Sequence, residues 1–134
     1  MKINPYLNFD GQCAEAFRFY EECLGGKIAM MLPYGESPMA GQTPEEWRNR
    51  IMHTSLIVGD QVLAGADAPP GQYRKPQGIT VALDLNDASE AERVFTGLSE
   101  NGEVVMPLQQ TFWAQRFGMV TDRFGIGWMV TVPA

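Results

Sequence analysis

The stretch YLNFDGQCAEAFRFYEECLGGKI, Tyr6 to Ile28, reads as a short strand, a turn, an amphipathic helix, a double-glycine stop and a new strand. Within a helix from about Gln12 to Leu24, the residues Cys13, Ala16, Phe17, Tyr20 and Leu24 fall at offsets 0, 3, 4, 7 and 11. That spacing makes one apolar stripe. Glu15, Arg18, Glu21 and Glu22 lie off it. Gly25 and Gly26 tolerate the left-handed backbone that ends a helix, and KIAMML then reads as a strand.

The same pattern recurs. In DASEAERVFTGLSENGEVVM, from Asp87, residues Ala91, Val94, Phe95 and Leu98 repeat the offsets 0, 3, 4 and 7. Asp87 and Glu90 stand three apart, as a capping box requires. Gly102 is the expected helix stop, and EVVMPL the strand after it. Glu15-Ala16 and Glu90-Ala91 align at a shift of 75 residues. Strand-like stretches precede both helices (INPYLNF and GITVALDL), and two more follow each module. RIMHTSLIV and QVLAGAD are joined by Gly59-Asp60, a strong two-residue hairpin signal. RFGMVTD and GIGWMVTV are joined around Arg123-Phe124. Each copy therefore reads βαβββ. Module one spans about residues 1–67 and module two about 79–134, with APPGQYRKPQG (68–78) as linker. PYGESPMAGQTPEEW, Pro33 to Trp47, is a long surface loop of the kind that acts as a lid or a dimer contact.

A chain of 134 residues suits one domain with a sizeable core. The formal net charge of −6 argues against nucleic acid and against an anionic membrane surface as partners. No apolar run has the length of a membrane span, and no signal-peptide pattern opens the chain, so the expected location is cytoplasmic. Cys13 and Cys23, both on the first helix, would be separated by roughly 15 Å along its axis, too far to form a disulfide.

FRFYEECLGG, HTSLIVGDQVLAGAD and FWAQRFGMVTDRFGIGW together resemble the vicinal oxygen chelate superfamily, which includes glyoxalase I, extradiol dioxygenases and bleomycin-resistance proteins. YLNFDGQCAEAFRFY, YGESPM and WAQRFGMVTDRFG are most similar to its PhnB-like branch. The resemblance implies an α+β fold of two βαβββ modules forming a curved mixed sheet around a cavity, commonly in a homodimer. It also implies, in the metal-dependent members, His, Glu or Gln ligands on the first and last strands of each module. The matching positions here are Pro5 or Tyr6, Thr80, Met129 and the neighbourhood of Gly65, with no acid until Asp67. A divalent site wants three or four N or O donors, and none of the four places supplies a strong one. The chain has a single histidine, His53. No metal and no other cofactor is expected. PhnB-like members are in places labelled methyltransferases, but no glycine-rich loop between a strand and a helix is present to cradle an adenosyl cofactor.

The candidate ligand-binding residues follow from strand alternation. If Leu7 and Phe9 pack on the helix, Tyr6 and Asn8 face the cavity, placed to orient a carbonyl or hydroxyl. On IMHTSLIV, His53 and Ser55 share one face and Met52, Thr54 and Leu56 the other. His53 is either a hydrogen-bonding group or general base, or a structural histidine at a strand end. Asp67 is a base or a lone metal contact, or else a cap for the turn that follows it. Phe112 and Trp113, read as strand neighbours, offer stacking surface, and Arg116 offers a cation. Together these suit a flat or anionic ligand. With Trp128 and Val130 packed on a helix, Met129 looks into the cavity.

The sequence thus predicts a small-molecule-binding protein that acts without a metal and associates with itself as a homodimer. One alternative is a metal-dependent lyase, isomerase or dioxygenase of the glyoxalase type. Another is an interaction domain whose cavity is filled by side chains.

Overall fold

In the computed structural model, which describes residues 1–134, the stretch from Tyr6 folds as strand β1 (Tyr6–Phe9), helix α1 (Cys13–Leu24) and strand β2 (Lys27–Pro33). A loop then leads to a hairpin of β3 (Ile51–Val58) and β4 (Gln61–Asp67). The second copy supplies β5 (Val81–Asp84), α2 (Ala88–Ser99), β6 (Glu103–Gln109), β7 (Ala114–Thr121) and β8 (Gly127–Pro133). The chain divides into two units, Met1–Arg74 and Lys75–Ala134. Each carries one four-stranded sheet, ordered β1-β4-β3-β2 in the first and β5-β8-β7-β6 in the second. In both, the module's first strand runs parallel to its last and the other pairs are antiparallel. The predicted α+β architecture of two βαβββ modules is the one observed. No helix is long and apolar enough to cross a membrane.

The helices are amphipathic as their spacing requires. α1 buries Cys13, Ala16, Phe17, Tyr20 and Cys23, and α2 buries Ala91, Val94, Phe95 and Leu98. Gly25 takes the left-handed conformation (φ 73°) that closes α1. α2 ends differently from the reading of its sequence. Asn101 (φ 58°), not Gly102, adopts the left-handed backbone, and Gly102 is instead needed because a Cβ there would lie 2.5 Å from the Thr121 carbonyl oxygen. The helix starts also differ. Asp87 caps α2 locally, its carboxylate accepting from the Glu90 N–H at 3.0 Å. Gln12, at the start of α1, makes no side-chain cap. That helix is capped from a distance by Asp67, at the end of β4.

The first sheet has two distinct faces. Leu7 and Phe9 are buried, and Tyr6 and Asn8 are exposed on the opposite side of β1. Tyr6 pairs with Ala64 and Asn8 with Ala66 across β1–β4, and Ser55 pairs with Ala64 across β3–β4. On the helix side, Leu7 and Thr54 flank Gly65, where a Cβ would meet Phe17 and the Leu7 carbonyl oxygen at 2.7 Å. β3 does not alternate throughout. Its pairing with β2 steps from Leu32–His53 to Pro33–Ile51, so Met52 is a bulged extra residue. The bulge leaves Ile51 buried with the core and carries Met52 to the opposite face, which corrects the reading of Met52 as sharing a face with Thr54 and Leu56.

Gly65→Ala forces a methyl group into Phe17 and backbone, and should cost about 1–3 kcal/mol in urea unfolding. Asp87→Ala should lower the thermal midpoint at neutral pH. The Ser89 hydroxyl, and next the Glu90 N–H, hold the Asp87 carboxyl below the usual carboxylate range. Its contribution is therefore present in full above about pH 4 and disappears as the pH falls through the lowered value. Melting curves of parent and variant should converge in strong acid.

Candidate functional site

Asp67 organises the site. It is 1 % exposed, and its carboxylate accepts three backbone N–H groups: Gly11 at 2.7 Å and Cys13 at 3.1 Å on Oδ1, and Ile51 at 2.8 Å on Oδ2. The carboxylate thus caps α1 and pins the start of β3. This is the capping alternative for Asp67, although the segments capped are distant in sequence rather than the turn that follows. Its carbonyl oxygen accepts from the Tyr34 hydroxyl at 3.0 Å. Burial, reinforced by the Asp67 carboxylate, pushes the neighbouring Cys13 thiol far above the ordinary thiol value.

Next to Asp67 lies an open pocket of about 510 Å³, within the range of small-molecule sites. Tyr6, Asn8, Ala66 and Met52 line it from the sheet, with Asp67, Pro69 and Pro70 at the end of β4. The rest of the wall is the loop between β2 and β3, through Tyr34, Met39, Gln42, Thr43, Pro44 and Trp47. That loop is three single turns of 3₁₀ helix (Tyr34–Glu36, Ala40–Gln42 and Glu45–Trp47). It is tied down at several points. The Tyr34 N–H donates to the Arg50 carbonyl, and the Arg48 guanidinium donates to the Ala40 and Gly35 carbonyls. Arg50 lies 4.0 Å over the Trp47 ring and pairs with Asp10 at 3.0 Å. Both Tyr34 and Trp47 lay outside the sequence-based candidates. A Tyr and a Trp within a Pro- and Gly-rich loop were the available signal, since large aromatics rarely remain wholly in water.

Tyr6, Asn8 and Asp67 come together in this pocket. His53 joins them through Tyr6, its Nδ1 lying 3.0 Å from the Tyr6 hydroxyl and its ring stacked on Tyr6 at 5.7 Å between centroids. Ala64 and Ala66 make this contact possible. β4 lies between β1 and β3, and only methyl groups stand under the tyrosine ring. Ser55 is on the same face, half-buried. Burial raises the Tyr6 phenol above the ordinary tyrosine value, with Cys13 and Tyr34 adding to it. It raises Tyr34 as well, with Asp67 adding. Both phenols therefore stay protonated across the physiological range.

The other four candidates lie in the second unit. Phe112 and Trp113 are not strand neighbours. They precede β7 in a turn held by the Thr111 hydroxyl oxygen, which accepts from the Trp113 and Ala114 N–H groups. Phe112 is 96 % exposed. Trp113 packs edge-on against Phe112 and Phe117. Arg116 is on the helix side of β7, paired with Glu92 of α2 at 3.3 Å. It shares that side with Gly118, where a Cβ would meet Phe95 of α2 at 2.8 Å. The reading of Arg116 as a cavity cation is thereby corrected. Met129 is half-buried on β8, opposite in alternation to buried Trp128 and Val130.

Residues 2–130 match the family model of the Glyoxalase/Bleomycin resistance protein/Dioxygenase superfamily, and the chain belongs to that superfamily. The chain is 34 % identical over 140 residues to Protein YjdN of Escherichia coli K12, covering 98 % of this chain and 95 % of that protein. The crystal structure of protein PA1353 from Pseudomonas aeruginosa is 46 % identical, with TM-score 0.91 and coverage of 99 % and 98 % of the two chains. The PhnB protein from Bacillus cereus shares the fold, at 23 % identity and TM-score 0.80 over 98 % and 99 %.

The divalent metal of the superfamily's metal-dependent members does not fit these residues. Tyr6 is engaged with His53. Gly65 has no side chain, and Thr80 and Met129 offer a neutral hydroxyl and a thioether. No three His, Cys, Asp or Glu side chains converge anywhere in the chain.

Asp67→Asn replaces an acceptor-only group with one that turns an amide N–H toward backbone donors. It should cost about 2–4 kcal/mol in urea unfolding, the scale of losing charged hydrogen bonds in a buried place. Cys13 and Cys23 are both buried and free. A thiol reagent should leave the folded protein unmodified and label both on unfolding, as read by mass spectrometry.

Proposed function

We propose that this PhnB-like protein binds a flat, uncharged small molecule in the first unit's pocket, without a metal ion. The observation that carries the proposal is a preformed pocket of about 510 Å³ walled by three aromatic side chains, Tyr6, Tyr34 and Trp47. Rings of this kind stack on a planar ligand. Uncharged amide and hydroxyl groups from Asn8, Gln42 and Thr43 are available to orient it. No Lys or Arg lines the pocket, and its one carboxylate already accepts three N–H groups. An anionic ligand would find no cationic partner there, which favours the flat description of the ligand over the anionic one. A cavity of this size also speaks against an interaction domain whose interior is filled.

We also propose that the protein is a homodimer. The edge strand β6 presents Val104, Val105 and Met106 to solvent, an apolar edge that invites pairing. Sedimentation at micromolar concentration should report a dimer, and a monomer alone would reject this.

The binding proposal is tested by titrating 2-naphthol, a flat neutral bicycle, with Trp fluorescence or calorimetry as the readout. The parent should bind. Ala66→Leu, which fills the floor of the pocket, should abolish binding, and Trp47→Ala should weaken it about tenfold, the value of one stacking contact. Failure of the parent to bind any flat neutral probe, or binding unchanged in Ala66→Leu, would place the ligand site elsewhere.

A further inference from the structure

We infer that His53 is a positioning residue which, by accepting a hydrogen bond from the Tyr6 phenol, turns Tyr6 into a hydrogen-bond acceptor for the ligand. The pocket then selects a planar neutral molecule bearing a hydroxyl or N–H donor. This rests on the binding proposal above and narrows its ligand class.

The geometry begins with the two alanines. Strands in a sheet lie about 4.8 Å apart, so β1 and β3, separated by β4, are roughly 10 Å apart. Tyr6 spans that gap because Ala64 and Ala66 are low enough for its ring to pass over them. It ends 3.0 Å from His53 Nδ1, and the near-parallel rings, at 26°, hold the two together. His53 reaches this face because it alternates with Thr54, whose register is set by the pairing of β3 with β4.

Chemistry fixes the direction of the bond. A phenol O–H is a stronger donor than a neutral imidazole N–H, and an imidazole nitrogen is a stronger acceptor than a phenol oxygen. The matched arrangement has Tyr6 donating to Nδ1, with the imidazole proton on Nε2. The Tyr6 hydroxyl has one proton. Once His53 holds it, the oxygen has only lone pairs left to offer a molecule in the pocket that Tyr6 lines. A ligand carbonyl or ether oxygen at that point meets lone pair against lone pair, whereas a ligand hydroxyl or N–H meets an acceptor. The raised Tyr6 phenol keeps its proton at neutral pH, so the site does not change character by ionising. Asn8 and Gln42 can each donate or accept, whereas the Thr43 hydroxyl spends its proton on the Met39 carbonyl at 2.8 Å. The Tyr34 hydroxyl likewise gives its proton to the Asp67 carbonyl, but among these lining hydroxyls Tyr6 is the one whose proton goes to another side chain, which a substitution can remove.

The test compares 2-naphthol with 2-methoxynaphthalene at pH 7.5. The ring system is the same, and methylation removes the donor while keeping the oxygen. The parent should prefer 2-naphthol by about tenfold, the scale of one hydrogen bond. Tyr6→Phe should reduce that preference to twofold or less. His53→Ala should also reduce it, chiefly by improving binding of 2-methoxynaphthalene, because the freed phenol proton can now point at the ether. A merely structural role for His53 predicts instead that both probes weaken together. A parent that binds both probes equally, or a preference that survives Tyr6→Phe, overturns the inference while leaving the binding proposal standing. If neither probe binds, the binding proposal fails and this inference fails with it. A second measurement needs no ligand. His53 is the chain's sole histidine, so its ring nitrogens give an unambiguous ¹⁵N spectrum. At pH 8 the inference expects an unprotonated Nδ1 and a protonated Nε2. The opposite tautomer overturns it whatever the probes do, and Tyr6→Phe should let the two forms mix.

Discussion

One buried carboxylate holds the first unit's pocket face in place. Asp67 is removed from water, and the cost of that is offset only because three backbone N–H groups point at it. Those donors come from the β1–α1 turn, the first residue of α1 and the first residue of β3. Three separately folded pieces therefore share one acceptor. The helix that would otherwise start without a side-chain cap has one, and β3 is fixed at the point where the pocket loop rejoins the sheet. Through the Tyr34 hydroxyl, the same residue's carbonyl anchors the loop's aromatic wall. The second unit uses a related device. Asp122 accepts from the Phe124 and Ile126 N–H groups and from the Trp128 indole, closing the β7–β8 turn over a buried tryptophan.

β4 shows how one short strand serves two opposed demands. Toward α1 it presents Gly65, so that Phe17 can sit directly on the backbone. On the opposite face it presents Ala64 and Ala66, beside Tyr6 and Asn8, and Ala66 lines the pocket. A larger residue at Gly65 would collide with Phe17 and backbone, and one at Ala66 would fill the pocket. The pocket that results is neutral in its chemistry. Its carboxylate is spent on the scaffold, and the nearest guanidinium groups are occupied by Asp10, Trp47 and loop carbonyls. The scaffold is shared by a superfamily whose metal-dependent members work through a divalent ion. Here the first-strand position is occupied by a phenol engaged with a histidine.

Sequence periodicity carried the architecture because two local signals coincided: helical spacing of apolar residues, and turn residues with defined backbone needs. β4 runs over the same residues in the sequence reading and in the structure, and Gly59-Asp60 closes its hairpin with Gly59 at φ 62°. What was not legible depended on contacts or on shifts of phase. Phe112 and Trp113 have strand-like composition, but Thr111 takes their segment into a turn. The side on which Arg116 emerges depends on a register shift between Ala114 and Arg116, which composition does not reveal. Met52 was misplaced for the same reason. The partners of Asp67 lie up to 56 positions away, beyond any local pattern. Tyr34 and Trp47 were hidden because the prolines and glycines around them marked the segment only as a loop.

The bulge at Met52 has a consequence for how this pocket can diversify. From Thr54 to Val58, the register of β3 is fixed by the hairpin with β4. Upstream, Ile51 is fixed independently by Asp67. The extra residue lies between these two clamps and absorbs the difference in phase between them. Changes of length in the 33–47 loop can therefore stop at Ile51 and never reach His53 or the strand face it shares with Tyr6. The wall of the pocket and its polar floor sit on opposite sides of a mechanical break, and each is free to vary while the other stays in register.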